Sequence, residues 1–330
     1  MRRLRVKEGV REARQVLSDA GKLMKGNLAA TLELGLVLAL LPALLRAFFA
    51  IRTHGALLGV WEGWANALMG TGTTPDSLTT MAAMTMRQSG TMSLASSLMD
   101  LASSLVLTPL LLSSLALLFN NFVTAGEHPA LSAAQGAGRN VRNLIFVSLA
   151  CMLAEWFVQM VPSLASSVLS LLAGMLAWIP ILGPIANVLA VILSVLISLL
   201  TDFAVVVIFS YVWICAACEG VPGFGALVRS WQLTRNAMHE TISSLLAVTL
   251  LRWLTVLVLG VLWWFGGRAL GMPLSGFMYV VYGVGALFSV LLGATTSALY
   301  QRRPTPGSPQ PGQFRSNGPD INNMKSANID

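Results

Sequence analysis

Polar and apolar positions follow one another on two scales along this chain. Over residues 225–238, GALVRSWQLTRNAM, they return at helical spacing: Leu227, Trp231, Thr234 and Met238 share one face, while Arg229, Gln232, Asn236 and the following His239 share the other. From there the chain turns apolar and, apart from Arg252, stays so as far as Phe265. A one-sided helix running straight into an apolar one predicts a segment that lies in a membrane interface and then crosses the bilayer.

The same succession occurs twice earlier. Residues 130–143, ALSAAQGAGRNVRN, lead into an apolar stretch, and their Arg139-Asn140 corresponds to Arg235-Asn236. Lys25-Gly26-Asn27 holds the same place before the first apolar stretch. Three such units imply an internal repeat of a helical hairpin.

Counted by apolar length, the crossings fall at about 28–51, 97–123, 241–266 and 276–300, with two more inside 144–218. The last of these stretches carries Gly285, Ser289, Gly293 and Ser297 four residues apart, a stripe that lets another helix approach closely. Residues 144–218 are interrupted by Pro162 and by IPILGPI at 179–185. Two long helices with a turn near Pro180 and Pro184 fit better than four, which would need ~19 residues each and leave almost no turns. The fold class expected is all-α: a polytopic membrane bundle of six transmembrane helices, with eight as the alternative, flanked by amphipathic interface helices. Residues 1–27 form a basic amphipathic segment, 28–301 the membrane domain with an outer loop at 52–95, and 302–330 a tail too polar to order itself.

Composition removes the soluble alternative, since only 11% of the residues are charged where a soluble chain carries about 25%. The net charge of +7 does not point to nucleic acid, because eight Lys and Arg crowd between Arg2 and Lys25, ahead of the first apolar stretch. That flank, with basic residues at 139–142, 229–235 and 302–303, predicts a cytoplasmic side that holds both termini. Anionic headgroups are the partners expected there, met by Arg139, Arg229 and Arg235, with Trp231 anchoring the opposite helix face. Protein partners or a second copy of the chain fit as well. No cleavable signal is expected, because the basic segment runs about 27 residues before hydrophobicity begins.

Cys151, Cys215 and Cys218 lie in or beside apolar stretches and imply packing rather than disulfides. His239-Glu240 opens like a zinc-protease motif, but Ser243 stands where its second histidine belongs. Met81, Met84, Met86 and Met92 read as apolar packing rather than a copper site. No phosphate loop or nucleophile elbow is present, so the expectation is no enzyme, no cofactor and no metal.

What stands out instead is charge inside apolar stretches. Arg46, Glu155, Asp202 and Arg252 lie 15 to 19 residues from the basic or polar markers, about 22–29 Å in at ~1.5 Å per residue. Charge at that depth needs a partner, and the repeat predicts that Arg252 pairs with Glu155, with Asp100 joining from the second helix. The functional expectation is a non-enzymatic scaffold, or a component that binds partners or lipids. A transporter or channel using this charge network is the alternative, and a lipid-modifying enzyme built on Asp100, Glu155, Asp202 and the histidines ranks last.

Residues 211–236, YVWICAACEGVPGFGALVRSWQLTRN, resemble the signature of bacterial six-helix membrane proteins related to the membrane region of glycerophosphodiester phosphodiesterases. In that signature a helix ends at a Glu, a Pro follows, and an amphipathic Ala-Leu-x-Arg-Ser helix comes next. The opening AGKLMKGNLAATLELGLVLALL (20–41) resembles the Lys-Gly-Asn start of a sister family of unknown function, and SALYQRR (297–303) is similar to the Leu-Tyr close of both. The resemblance implies six helices in a bacterial plasma membrane and no activity for the membrane region itself.

Overall fold

The apolar stretches become six helices long enough to cross a membrane: Leu28–Arg52, Ser97–Phe119, Val141–Leu176, Val188–Cys218, Met238–Gly267 and Leu274–Gln301. This is a multi-pass, all-α membrane protein. The structure, a computed structural model, describes residues 2–52, 97–120, 128–176, 179, 182–267, 270–271 and 273–302, and among these there is no strand. The loop past Arg52 that the sequence reading put on the outer side, the turn at Pro180 and the tail past Arg302 lie outside the described residues.

In chain order the helices are α1 (Arg2–Gly26), α2 (Leu28–Arg52), α3 (Ser97–Phe119), α4 (Pro129–Arg139), α5 (Val141–Leu176) and α6 (Leu182–Ile208). Then follow α7 (Val212–Cys218), α8 (Phe224–Asn236), α9 (Met238–Leu262, continued by wider turns over Trp263–Gly267) and α10 (Leu274–Gln301). Residues 144–218 therefore cross twice.

The repeat has a physical form. In each unit a single residue, Asn27, Asn140 or Ala237, leaves helical geometry and the next helix starts at once. The hinge carbonyl accepts the first bond of the new helix each time: from Thr31 N–H at 2.8 Å, Leu144 N–H at 3.0 Å and Thr241 N–H at 3.1 Å. The third hinge falls one residue past Asn236, the position aligned with it in the sequence. Counted from the true hinges, Glu155 and Arg252 hold the same place in their helices, and Pro42 holds it in α2.

Prolines shape two of the crossings. A proline has no N–H to give the carbonyl four residues back, and the helix adjusts by widening. Wide π-type turns at Gly35–Leu40 and Ser103–Leu107 lie just ahead of Pro42 and Pro109. Pro109 frees the Leu105 carbonyl, and the Ser148 hydroxyl of α5 reaches it at 3.1 Å. Pro162 stays within α5 without ending it.

Helices α3, α7 and α10 end where α9 begins, and there the bundle is densely packed. The buried core runs through 115–119, through Tyr211, Ile214 and Cys215, and through 294 and 297–299. Small residues permit the approach: a Cβ on Gly293 would sit 2.9 Å from Leu115 Cδ1, so α3 presses on α10 at the expected stripe. Ala130, Ala133 and Ala137 bury α4 in the same way. In the N-terminal helix, Ala13, Val16 and Ala20 are buried as α1 packs on α9 and α10, while Val10 is exposed. The apolar side of α1 meets protein.

Candidate functional site

Five helices deliver the intramembrane charges. Arg46 of α2 meets Asp100 of α3, with Nε 3.2 Å from the carboxylate and Nη2 donating to the Asp100 carbonyl at 3.2 Å. Helices α5 and α6 are joined at the same level by Gln159, which donates to Asp202 Oδ1 at 2.8 Å. Glu155 stands one turn before Gln159, close enough to line the same cavity as Asp202.

Arg252 stands between these groups. It lines a cavity of about 350 Å³ with Glu155, Asp202, Trp253 and Ser289. It also lines a second cavity, about 420 Å³, with Arg46, Ser103, Tyr282 and Ser289. Its Nη2 lies beside Gly285 of α10, where a Cβ would sit 3.9 Å away, an ordinary contact. The expected Arg252–Glu155 ion pair is not closed, and the guanidinium has neither a hydrogen bond nor an ion pair with any described residue. The structure thus brings the four sequence-predicted residues to two adjoining cavities but joins only Arg46 to an acid.

The two cavities differ in sign. Two carboxylates and one arginine line the first. The second is lined by two arginines, and both wide-turn segments contribute to its wall, through Leu38 and Ala39 and through Ser103 and Leu107. Ser103 is only 1% exposed, and its hydroxyl has no hydrogen-bond partner. A buried hydroxyl left unpaired costs ~1–3 kcal/mol, so it is a donor awaiting an acceptor. Sequence reading missed Gln159, Ser103 and Tyr282. The signal for the first two was spacing: Gln159 follows Glu155 by one helical turn, and Ser103 follows Asp100 by three residues.

The interface residues divide. Arg229, expected to meet headgroups, donates from Nε to Glu219 Oε2 at 2.9 Å, and Tyr300 donates to Glu219 Oε1 at 2.9 Å. The guanidinium is thus held at the bundle end by a carboxylate within reach. Helix α8 is anchored by Ser230, which donates to the Ile208 carbonyl at 2.7 Å and accepts from Tyr211 N–H at 3.2 Å across the α6–α7 break. The buried face is thus Ala226, Ser230, Leu233 and Thr234, with Trp231 exposed beside it. Arg139 and Arg235 are exposed as well.

The end also ties the chain to itself. Arg302 donates to Glu240 Oε1 at 3.0 Å and to Asp19, joining α10 to α9 and α1. The Arg302 hydrogen bond, then that of Lys22, holds the Asp19 carboxyl below the usual carboxylate range. Compared with protein-family models, with curated proteins and with solved structures, the chain matches none.

Proposed function

We propose that this protein is a non-enzymatic membrane component that binds an anion, carried on a lipid headgroup or free, within the bilayer. The observation that carries the reading is the second cavity: Arg252 without a partner, Arg46 beside it, and the buried, unpartnered Ser103 hydroxyl in one wall. An arginine inside a membrane is costly unless something compensates it. The apolar lining, Leu38, Leu107, Leu111 and Val281, suits the acyl chain of an amphiphile better than a fully hydrated ion.

The bundle lies in a bacterial plasma membrane in this reading, related to the six-helix family that residues 211–236 resemble, with both termini and the packed end on the cytoplasmic side. Basic residues at 139–142 and 229–235 support that orientation. Anionic lipid should raise the thermal stability of the solubilised protein more than phosphatidylcholine does, and Arg252→Gln should remove the difference. Equal shifts from both lipids would refute the site. For orientation, Ser77→Cys should be labelled from outside intact cells and Ser308→Cys should not.

A second reading, transport, is favoured by one observation: the acidic and basic cavities adjoin through a single arginine. Uptake of labelled anion into proteoliposomes separates it from static binding.

A further inference from the structure

The second cavity has a direction. Along α2 its lining passes from Leu38 and Ala39 to Arg46, and along α3 from Leu111 and Leu107 to Ser103, each time away from the packed end. Along α10 it passes from Ala286 to Tyr282 in the same sense. Ser289, lower on α10, does not break the order, because its hydroxyl already donates to the Gly285 carbonyl at 3.0 Å. Thr108 beside the lower leucines and Val281 at the upper end are the exceptions. Counted from the hinges at Asn27 and Ala237, Arg46 and Arg252 lie about 22–28 Å in at ~1.5 Å per residue. Leu38 by the same count, and Leu111 counted from Asn120, lie about 14–17 Å in. In a hydrocarbon core of ~30 Å, the arginines are close to the far headgroup level and these leucines are at the middle.

That order matches a lipid of one leaflet. A lipid of the far leaflet holds its phosphate at the arginine level and points its chains down to the middle. A lipid of the leaflet at the packed end would bring its chain ends, not its phosphate, toward the arginines. A hydrated ion gains nothing from the leucine end. We propose that the ligand is an anionic lipid of the leaflet away from the packed end. Its phosphate sits between Arg46, Arg252 and the unpartnered Ser103 hydroxyl, and one chain runs past Leu107 and Leu38 toward Leu111. A guanidinium presents paired N–H donors that match phosphate oxygens. The proposal rests on the anion-site reading above and adds the ligand's class, leaflet and direction. In the orientation given there, the leaflet is the outer one. Entry is from the side of the bundle: Arg252 is exposed within its span, as are Leu251 beside it and Leu41 and Leu45 of α2, so lipid has access.

The test is photo-cross-linking of the full-length protein in proteoliposomes whose two monolayers differ. The probe is phosphatidylglycerol with a diazirine at the end of one chain, introduced by lipid exchange into the monolayer that faces the bulk solution. Capture on a C-terminal tag, at low protein density, separates vesicles whose packed end faces out from those whose packed end faces in. The expected adducts fall around Leu38 and Leu111, and they form when the probe occupies the monolayer away from the packed end. Phosphatidylcholine carrying the same diazirine should label these positions far less. Arg252→Gln breaks no hydrogen bond or ion pair with a described residue, so it should fold. It should lower labelling by phosphatidylglycerol about tenfold, the loss expected for one charge-assisted contact. Arg252→Lys, which keeps the charge, should recover part of it.

Arginine-dependent labelling from the other monolayer alone overturns the leaflet and the direction and leaves the anion site standing. Equal labelling by the two lipids, or labelling that Arg252→Gln leaves unchanged, overturns the anionic lipid. A second arm then decides the reading beneath it: sodium sulfate titrated against thermal unfolding of the protein in neutral detergent. Stabilisation by sulfate that Arg252→Gln abolishes, without a lipid adduct, makes the ligand a soluble anion, so the proposal falls and the anion site remains. Neither an arginine-dependent adduct nor a sulfate effect overturns both.

Discussion

Two groups of charged side chains, similar in composition, meet opposite fates in this bundle. Where the helices end, Glu219, Arg229 and Tyr300 are closed onto one another by two bonds of 2.9 Å each, with the Glu219 side chain only 15% exposed. Within the bilayer, Glu155, Asp202 and Arg252 line one cavity without a bond between the acids and the arginine. The surroundings make the difference. At the packed end, α8 is folded back against α7 and the end of α6 by the Ser230 bridge, so the partners arrive at fixed distance. The α5–α6 hairpin, which carries both acids, is sparsely covered beyond them: Leu164, Val168, Leu171 and Ile192 are more than half exposed. A charge group closed by packing serves stability, and one held open by a cavity is available for a ligand.

The sharpest way to break this comparison is to remove one member from each group. Glu219→Leu leaves Arg229 uncompensated in a half-buried place and takes the acceptor from Tyr300, which should cost about 3 kcal/mol. Thermal unfolding in detergent reads this directly. Arg252→Leu should change stability by no more than about 1 kcal/mol, since it breaks no hydrogen bond or ion pair, and the gain from removing an intramembrane charge is offset by leaving Glu155 and Asp202 in a cavity without a cation. Adding Glu155→Leu should produce no rescue, there being no loss to rescue. A loss comparable to that of Glu219→Leu would show that the pair closes in a bilayer.

Packing offers a second, smaller contrast. Gly293→Ala forces a methyl to within 2.9 Å of Leu115 and should cost about 1–2 kcal/mol. Gly174→Ala, in the outer part of α5, meets nothing within 4 Å and should stabilise by about 0.5–1 kcal/mol through helix propensity. Equal effects at the two sites would mean that the hairpin is packed against something.

The smallest effect expected is with pH. Asp19 titrates below the usual carboxylate range because of Arg302 and then Lys22. Its contribution is therefore fully present above the unfolded value near ~3.9 and fades as pH falls through the lower folded value. The side chain is 40% exposed, so solvent screening keeps the effect below about 1 kcal/mol. Hydrogen exchange of α1, corrected for the intrinsic rate, should be level from neutral pH down to about 5 and speed up only below about 4. Acceleration already at pH 6 would show that the Asp19–Arg302 contact does not control the opening of α1.

Much of this architecture was legible in the chain. Apolar length placed all six crossings, and the decision for two helices in 144–218 followed from the number of residues a crossing needs. Arg252 and Glu155 could be set at one depth because depth along a helix is a count of residues. The repeat was visible in Arg139-Asn140 and Arg235-Asn236, although the third hinge sits at Ala237. The chain alone did not reveal that Arg229 would turn to Glu219, that α1 would bury Val16 against α9 and α10, or that Arg252 would stand open between two cavities. Length and apolarity are properties of one segment, and the bilayer reads them one segment at a time. Whether two side chains touch depends on the rotation of each helix about its axis and on the spacing that small residues such as Gly293 permit. Those quantities exist only once all the helices have packed.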